Sequence, residues 1–244
     1  MAIITQKLTL EKDGFIGYLA YPKRARRGPA ILVIHHSHGL TEELRLESYE
    51  WAEMGYTVLI PNMYQLIGIL DPITPGMGQD IQKVKSDPEF LEAIRKGWDF
   101  LLARPDVDPK RVGVLSYCMG ARLGMHFVAA TPQVRAFAAY YPSIKEESET
   151  SIRPRHALKP VGELKCPTFV VFGGEDNVVP NGMQLKVWKK MIDIKLPFEW
   201  HFYSHGLHGL AAPASDGNQP ELARRIWPLT VGFFKRELEE TVGA

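Results

Sequence analysis

Five apolar runs of strand length recur along the chain, and helical segments separate most of them. They are PAILVIHH (29–36), YTVLIPN (56–62), RVGVLSY (111–117), RAFAAYYP (135–142) and CPTFVVFG (166–173). Continuous apolar runs of this length are typical of strands buried on both faces, as in parallel sheets. Their alternation with helices predicts an α/β fold, in which a mostly parallel central sheet carries helices on both faces.

The remaining elements follow from local signals. Two alternating segments near the start, 3–10 and 15–22, predict half-buried antiparallel strands. Helices are predicted after Thr41, closed by Gly55, and after Ser86, ending near Ala103. Further helices are predicted over 119–130, 181–192 and 220–238, the last with a possible kink at Pro228.

Two segments have no clear period. Residues 63–85 contain scattered Gly and Pro and predict a loop with room for a short helix. Residues 143–163 are polar, but strands and helices resume after them on the same pattern. We therefore interpret 143–163 as an excursion from one domain that spans residues 1–244, without a separate lid domain.

Composition narrows the functional classes. The chain has 244 residues, 45% of them apolar, and a formal net charge of +1, so neither nucleic acid nor a membrane surface is an expected partner. No signal-peptide pattern and no spanning apolar run are found. Cys118 and Cys166 are the only cysteines, which fits a reducing compartment, and a cytoplasmic monomer or homodimer is expected.

The run 111–117 ends at a cysteine, and the chain continues as a helix. Ser116 and Gly120 stand two residues before and two residues after Cys118. A nucleophile elbow needs this spacing, because strand and helix pass close together there. The amino end of the helix favours a thiolate and offers free N–H groups to an oxyanion. A cysteine that only packs as a small apolar residue would not need this turn, so Cys118 is the predicted nucleophile.

An acid and a histidine follow two later strands. Asp176 lies in VVFGGEDNVVP (170–180), in a Gly-rich turn where Glu175 is a local competitor. His208 lies in HFYSHGLHGL (201–210), flanked by glycines, with His205 as the fallback and His201 inside the strand. The chain order of nucleophile, acid and histidine is the order of an α/β-hydrolase triad. Together they predict a Cys118, His208, Asp176 triad.

With these residues the chain resembles the dienelactone hydrolase family of α/β-hydrolases over nearly its whole length. SYCMG matches the family's Gly-x-Cys-x-Gly elbow with serine in the first position, and GGEDNVVP matches the context of its aspartate. Its late histidine falls on His208, and Tyr64 keeps the tyrosine of a Pro-Asp-x-Tyr stretch in which Asn62 replaces the aspartate. The resemblance implies hydrolysis of a small-molecule lactone or ester through a cysteine acyl-enzyme, without a cofactor.

The resemblance also implies further site residues. An oxyanion would be held by the backbone N–H groups of Met119 and Ser37. His36 stands where the family commonly has a glutamate, and it either favours the thiolate as a cation or holds its loop by donating to a backbone carbonyl. Tyr64 and Arg122 either face the substrate or are ordinary packed or solvated side chains.

One departure from the family's pattern bears on the substrate. The family's type members bind a carboxylate with arginines, one of them just past the catalytic histidine. In this chain Ala211 and Ala212 occupy the place of that arginine after His208, and no arginine occurs between Arg45 and Arg95. A less charged lactone or ester is therefore predicted.

Other functions remain open from the sequence. A thioesterase or another acyl hydrolase could use the same triad. HHSH (35–38) and the spacing of His201, His205 and His208 could serve a metal site, although no nearby cysteine or carboxylate completes one. A catalytically silent binding protein on the same fold is a third alternative, against which the intact triad argues.

Overall fold

Eight strands form one sheet in the order β1-β2-β4-β3-β5-β6-β7-β8. The strands are β1 (Ile3–Leu8), β2 (Gly17–Pro22), β3 (Gly28–Ile34), β4 (Thr57–Pro61), β5 (Val107–Tyr117), β6 (Ala136–Tyr140), β7 (Thr168–Gly173) and β8 (Phe198–Tyr203). β1 and β2 pair antiparallel, as do β2 and β4, while every pairing from β4 to β8 is parallel. The structure is a computed structural model that describes residues 1–69, 76–212 and 215–239.

Eight α-helices accompany the sheet in the described ranges. They are α1 (Leu10–Asp13), α2 (Glu42–Glu53), α3 (Met63–Leu66), α4 (Met77–Val84), α5 (Asp87–Leu102), α6 (Cys118–Ala130), α7 (Asn181–Asp193) and α8 (Pro220–Leu238). A 3₁₀ turn, Pro160–Glu163, lies between β6 and β7. The predicted architecture, a mostly parallel sheet flanked by helices, is confirmed.

The two faces of the sheet carry different helices. On one face α2 and α8 meet through Trp51 and Trp227, whose ring centroids are 4.8 Å apart. Gly113 of β5 faces α8, where an added Cβ would lie 2.6 Å from the ring of Phe234. On the other face α5 packs on α6, and α6 packs on β5 and β6. The apolar β3 and β5 are therefore covered on both faces, as their sequences predict.

Local signals placed most helix ends correctly. Ser86 forms a complete capping box with Glu89 at the start of α5, and Pro88 occupies its first turn. α8 continues through Pro228, and α2 ends at Glu53, so Gly55 lies just past it with a φ of 100°. The segment 63–85 contains two short helices instead of one, and its residues 70–75 lie outside the described residues.

Candidate active site

The turn after β5 places Cys118 at the carboxyl edge of the sheet. Tyr117 is still extended, with φ −131° and ψ 135°, whereas Cys118 has a φ of 51° and already begins α6. A positive φ is costly for a residue with a side chain, and such strain concentrates at functional sites. Cys118 has the backbone that a nucleophile elbow requires.

Small residues permit this turn, as the sequence predicts. A Cβ on Gly120 would lie 2.3 Å from the carbonyl oxygen of His35 and 2.5 Å from that of Ile34, so α6 can pass the end of β3 only with glycine here. Ser116 is fully buried, and its hydroxyl donates to the carbonyl oxygen of Ala138 over 3.1 Å. Gly120 and Ser116 therefore both lie in closely packed surroundings.

Cys118, His208 and Asp176 lie in hydrogen-bonding reach of one another. Nε2 of His208 lies 3.0 Å from Sγ of Cys118, and its Nδ1 lies 2.9 Å from Oδ2 of Asp176. The other carboxylate oxygen, Oδ1, accepts from the backbone N–H groups of Val178 and Val179, each over 2.8 Å. The carboxylate is thus fixed from both sides and holds the imidazole toward the sulfur.

The competing residues are placed elsewhere. Glu175 also lines the cavity, but its carboxylate pairs with His205, with Oε1 lying 2.8 Å from Nδ1. The His205 side chain is 87% exposed, which separates it from the buried site. His201 stacks on Phe169 with ring centroids 4.2 Å apart and serves the packing of β8. The structure therefore brings His208 and Asp176, and not these neighbours, to Cys118.

The charge state of His208 depends on burial, which lowers its pKa, and on hydrogen bonds and negative charges, which raise it. Burial disfavours the imidazolium, but the hydrogen bonds to Asp176 and to Cys118, together with their negative charges, outweigh it and raise the His208 pKa to about 9. The resting centre at neutral pH is consequently an imidazolium between a carboxylate and the sulfur of Cys118.

Asp176→Asn is expected to lower the pKa of His208 by roughly 1 to 3 units, because only the contribution of Cys118 then remains to oppose the effect of burial. The measurement is an NMR titration of the imidazole in both proteins. Glu175→Gln removes a neighbouring carboxylate that pairs with His205 and should leave the titration of His208 in place. An unchanged His208 midpoint in Asp176→Asn would contradict the assigned hydrogen bond.

The same pKa predicts how stability varies with pH. The folded His208 keeps its proton to about pH 9, whereas an unfolded histidine loses it near pH 6.5. The stabilisation that His208 contributes is therefore complete below about pH 6.5 and is lost as the pH rises toward 9. Asp176→Asn should flatten this part of the curve in urea denaturation.

The two proposed oxyanion donors both border the cavity beside Cys118. The N–H of Met119 belongs to the first turn of α6, where no intrahelical acceptor exists. The N–H of Ser37 shares its peptide unit with the carbonyl of His36, which accepts from Nδ1 of His35 over 2.7 Å and from the N–H of Gly39 over 3.1 Å. These bonds fix the plane of that peptide and hence the direction of the Ser37 N–H.

His35 is a site residue that the sequence prediction missed. It is fully buried, its Nε2 accepts from the N–H of Met63 over 3.2 Å, and Nδ1 therefore carries the proton that goes to the His36 carbonyl. Burial lowers its pKa to about 4, so it stays neutral. HHSH directly after a buried strand was the available signal, but nothing local distinguishes His35 from His36.

Of the two alternatives for His36, the one in which it favours the thiolate as a cation does not fit its surroundings. Burial, and then the neighbouring His38 and His35, lower the pKa of His36 to about 3. Its Nδ1 accepts from the N–H of His38 over 3.1 Å. This hydrogen bond agrees better with the alternative in which His36 holds its loop. The ring accepts a hydrogen bond, however, instead of donating one to a carbonyl. His36 lines the cavity as a neutral side chain.

Tyr64 does not face the substrate. It is fully buried and absent from the cavity wall as far as the described residues form it. Its hydroxyl donates to the carbonyl oxygen of Ser37 over 2.7 Å, and burial raises its pKa. Tyr64 therefore supports the loop that carries an oxyanion donor.

Arg122 borders the cavity, but its charge is already paired. Its two terminal nitrogens bind the carboxylate of Asp87 over 2.6 and 2.7 Å, and both side chains are buried. The N–H of Asp87 also donates to the carbonyl oxygen of Ile152 over 2.8 Å, which ties the segment 143–163 to the start of α5. The arginine is a structural element of the cavity wall.

A cavity of about 790 Å³ opens over Cys118 and His208. α4 contributes Gln79 and Gln82 to its wall, and the segment 143–163 contributes Arg153 and Glu147. Arg153 binds Glu147 over 2.9 Å between its Nη1 and Oε2. The sequence indicates that 63–85 and 143–163 shape the pocket, but the residues that line it could not be derived because 143–163 has no periodicity.

A metal site and a membrane-spanning helix are both absent from the described ranges. No group of three or more His, Cys, Asp or Glu side chains there could hold a metal ion, so HHSH and the three later histidines do not converge. None of the helices described is both long and apolar enough to span a bilayer.

Known proteins were compared with this chain. The model of the dienelactone hydrolase family matches residues 15–238. The chain belongs to the dienelactone hydrolase family. Similar relatives include "Protein usf" of Aquifex pyrophilus, which is 30% identical. The match covers 96% of this chain and 99% of the length of that relative. The "Carboxymethylenebutenolidase" of Rhodococcus opacus is 24% identical and covers 94% of this chain and 88% of its own.

Solved structures agree on the fold. The crystal structure named "Putative Dienelactone Hydrolase from Klebsiella pneumoniae" superposes with a TM-score of 0.85 at 21% identity, covering 97% of this chain and all of that one. The α/β-hydrolase fold implied by the resemblance is thus confirmed. Family membership places the protein among hydrolases of the dienelactone hydrolase type.

Proposed function

We propose that this protein hydrolyses an uncharged lactone or carboxylic ester, with Cys118 as nucleophile, His208 as acid and base, and Asp176 as its orienting acid. One observation carries the proposal: Sγ, the imidazole and the carboxylate are joined by contacts of 3.0 and 2.9 Å beneath a cavity. The name of the Rhodococcus opacus relative, a carboxymethylenebutenolidase, agrees with a lactone, whereas the carboxylate in that name is not expected of the substrate here because of the charge of the cavity wall.

Acylation begins with the sulfur. The thiolate of Cys118 attacks the carbonyl carbon, and the resulting oxyanion is held by the N–H groups of Met119 and Ser37. The bond to the leaving oxygen breaks, and that oxygen receives the proton from Nε2 of His208. The products of this half-reaction are a thioester on Cys118, a free alcohol or enol and a neutral imidazole.

Deacylation uses the same imidazole as a base. Once Sγ is acylated, the negative charge and the hydrogen bond that it contributed to the high pKa of His208 are gone, while burial remains. The His208 pKa consequently falls in the acyl-enzyme, which lets the ring take a proton from water. Attack by that water breaks the C–S bond and restores the ion pair.

The charge of the cavity supports an uncharged substrate. Arg122 and Arg153, the arginines in its described wall, are bound by Asp87 and Glu147, and the lysines at its rim are exposed. A carboxylate substrate would have to compete with a carboxylate that is already in place. Neutral polar groups can instead use the glutamines of α4.

The test is hydrolysis of p-nitrophenyl acetate and of paired neutral and carboxylate-bearing lactones. Neutral lactones should show a kcat/KM about tenfold higher or more than the charged ones, and a mass shift on Cys118 should reveal the acyl-enzyme. Iodoacetamide should abolish turnover and a chelator should not. Preference for thioesters over esters would favour a thioesterase on the same triad. Turnover that survives alkylation would overturn the proposal.

A further inference from the structure

Five tyrosines are buried in the core, and four of their hydroxyls have a partner. The bonded pairs are Tyr56 with Glu239, Tyr64 with Ser37, Tyr117 with Glu47 and Tyr140 with Thr230. Tyr141 is only 1% exposed, and its hydroxyl has no hydrogen-bond partner among the residues that the structure describes. A buried hydroxyl without a partner is costly, so it calls for an explanation.

The position of Tyr141 supplies an explanation for its unpaired hydroxyl. Tyr117 and Tyr140 are register partners in β5 and β6, so Cys118 and Tyr141 are the next residues beyond two neighbouring strand ends. Both have a positive φ, 51° and 38°. The ring of Tyr141 meets the ring of His208 edge-on, with centroids 5.2 Å apart. Tyr141 therefore packs on the imidazole of His208 and lies one strand away from Cys118.

The hydroxyl is a donor that lacks an acceptor within the described part of the chain. Burial, and then the negative charge of Cys118, raise the pKa of Tyr141 well above its ordinary value, so the phenol keeps its proton. Its oxygen is closed off from solvent, which excludes bulk water as the partner. The other titratable groups at the sulfur are committed, since Tyr64 donates to Ser37 and His208 binds Asp176.

We propose that Tyr141 donates a hydrogen bond to the sulfur of Cys118 when that sulfur is a thiolate, as an alternative donor to His208 in a second conformer of the cysteine. The proposal rests on the nucleophile of the proposed function. The described geometry has no hydrogen bond between these two groups, so the bond requires a rotation about the Cα–Cβ bond of Cys118 that brings Sγ to the hydroxyl. Acylation of the sulfur removes the charge and releases the hydroxyl again.

The experiment is the rate of iodoacetamide alkylation of Cys118 as a function of pH, followed by mass spectrometry. Tyr141→Phe should move the midpoint of this profile up by about one unit, which makes alkylation about tenfold slower on its acidic side and equal at high pH. Tyr140→Phe is the matched control, because it removes a neighbouring buried hydroxyl that is bonded to Thr230, and its profile should superimpose on that of the wild type.

Thermal melting separates this role from packing. Below the midpoint of the alkylation profile the sulfur is a thiol, so Tyr141→Phe keeps the ring and loses only an unbonded hydroxyl, and Tm measured at such a pH should not fall. A profile identical to that of the wild type, or a lower Tm without a shifted midpoint, would overturn the proposal. Alkylation needs no turnover, so a shifted midpoint in a protein without esterase activity would sink the proposed function and leave this inference standing.

Discussion

Cys118→Ala is expected to lower kcat/KM for p-nitrophenyl acetate by about 10⁴-fold or more, because triad residues act as a unit and the covalent route is lost. The residual rate would come from the oxyanion donors and binding, which the substitution leaves in place. The measurement is steady-state hydrolysis with purified wild type and variant, after circular dichroism has shown that both are folded.

Cys166→Ala is the matched control for this loss. Cys166 is the second free cysteine of the chain, it is buried, and burial raises its pKa to about 12. A thiol of that kind is not ionised at neutral pH, so its removal should leave kcat/KM within a factor of two or so of the wild type. Full activity in Cys118→Ala, or its loss in Cys166→Ala, would disprove the assignment of the nucleophile.

Gly120→Ala is expected to reduce the free energy of unfolding by about 3 kcal/mol. The new Cβ would lie 2.3 and 2.5 Å from two carbonyl oxygens at the end of β3, and these are backbone atoms that cannot turn aside. α6 would have to move away from the sheet and take Cys118 with it, so esterase activity should fall as well. Urea denaturation measures the first effect and p-nitrophenyl acetate hydrolysis the second.

Gly232→Ala provides the opposite expectation for the same substitution. Gly232 lies within α8, and a Cβ there would meet no atom within 4 Å. Alanine is the better helix former by roughly 1 kcal/mol, so this variant should be slightly more stable than the wild type. Equal stability of Gly120→Ala and Gly232→Ala would mean that α6 is not held against β3 as described.

The elbow could be predicted because its requirements are local. A strand, a sharp turn and a helix start follow one another within Ser116–Gly120, and each leaves a mark in the residue types. The same applies to the capping box at Ser86, whose partner Glu89 is three residues away. Local geometry of this kind is written in consecutive residues, so spacing alone reveals it.

The functions of His36, Tyr64 and Arg122 could not be derived in this way. His36 is neutral because burial, and then the neighbouring His38 and His35, disfavour its charged form. Arg122 is occupied by Asp87, which is 35 residues away in the chain. Tyr64 donates to a carbonyl 27 residues away. Each outcome depends on a partner that only the folded chain brings near.

The sequence by itself determined the class of fold, the elbow at Cys118 and the order of nucleophile, acid and histidine, because these depend on periodicity and on residues close together along the chain. The tertiary structure alone decided that Asp176 and not Glu175 meets His208, that Arg122 and Arg153 are neutralised, and that the hydroxyl of Tyr141 has no partner among the described residues. Burial and the pairing of charges are set by distances across the fold, and those distances exist only after the strands have assembled.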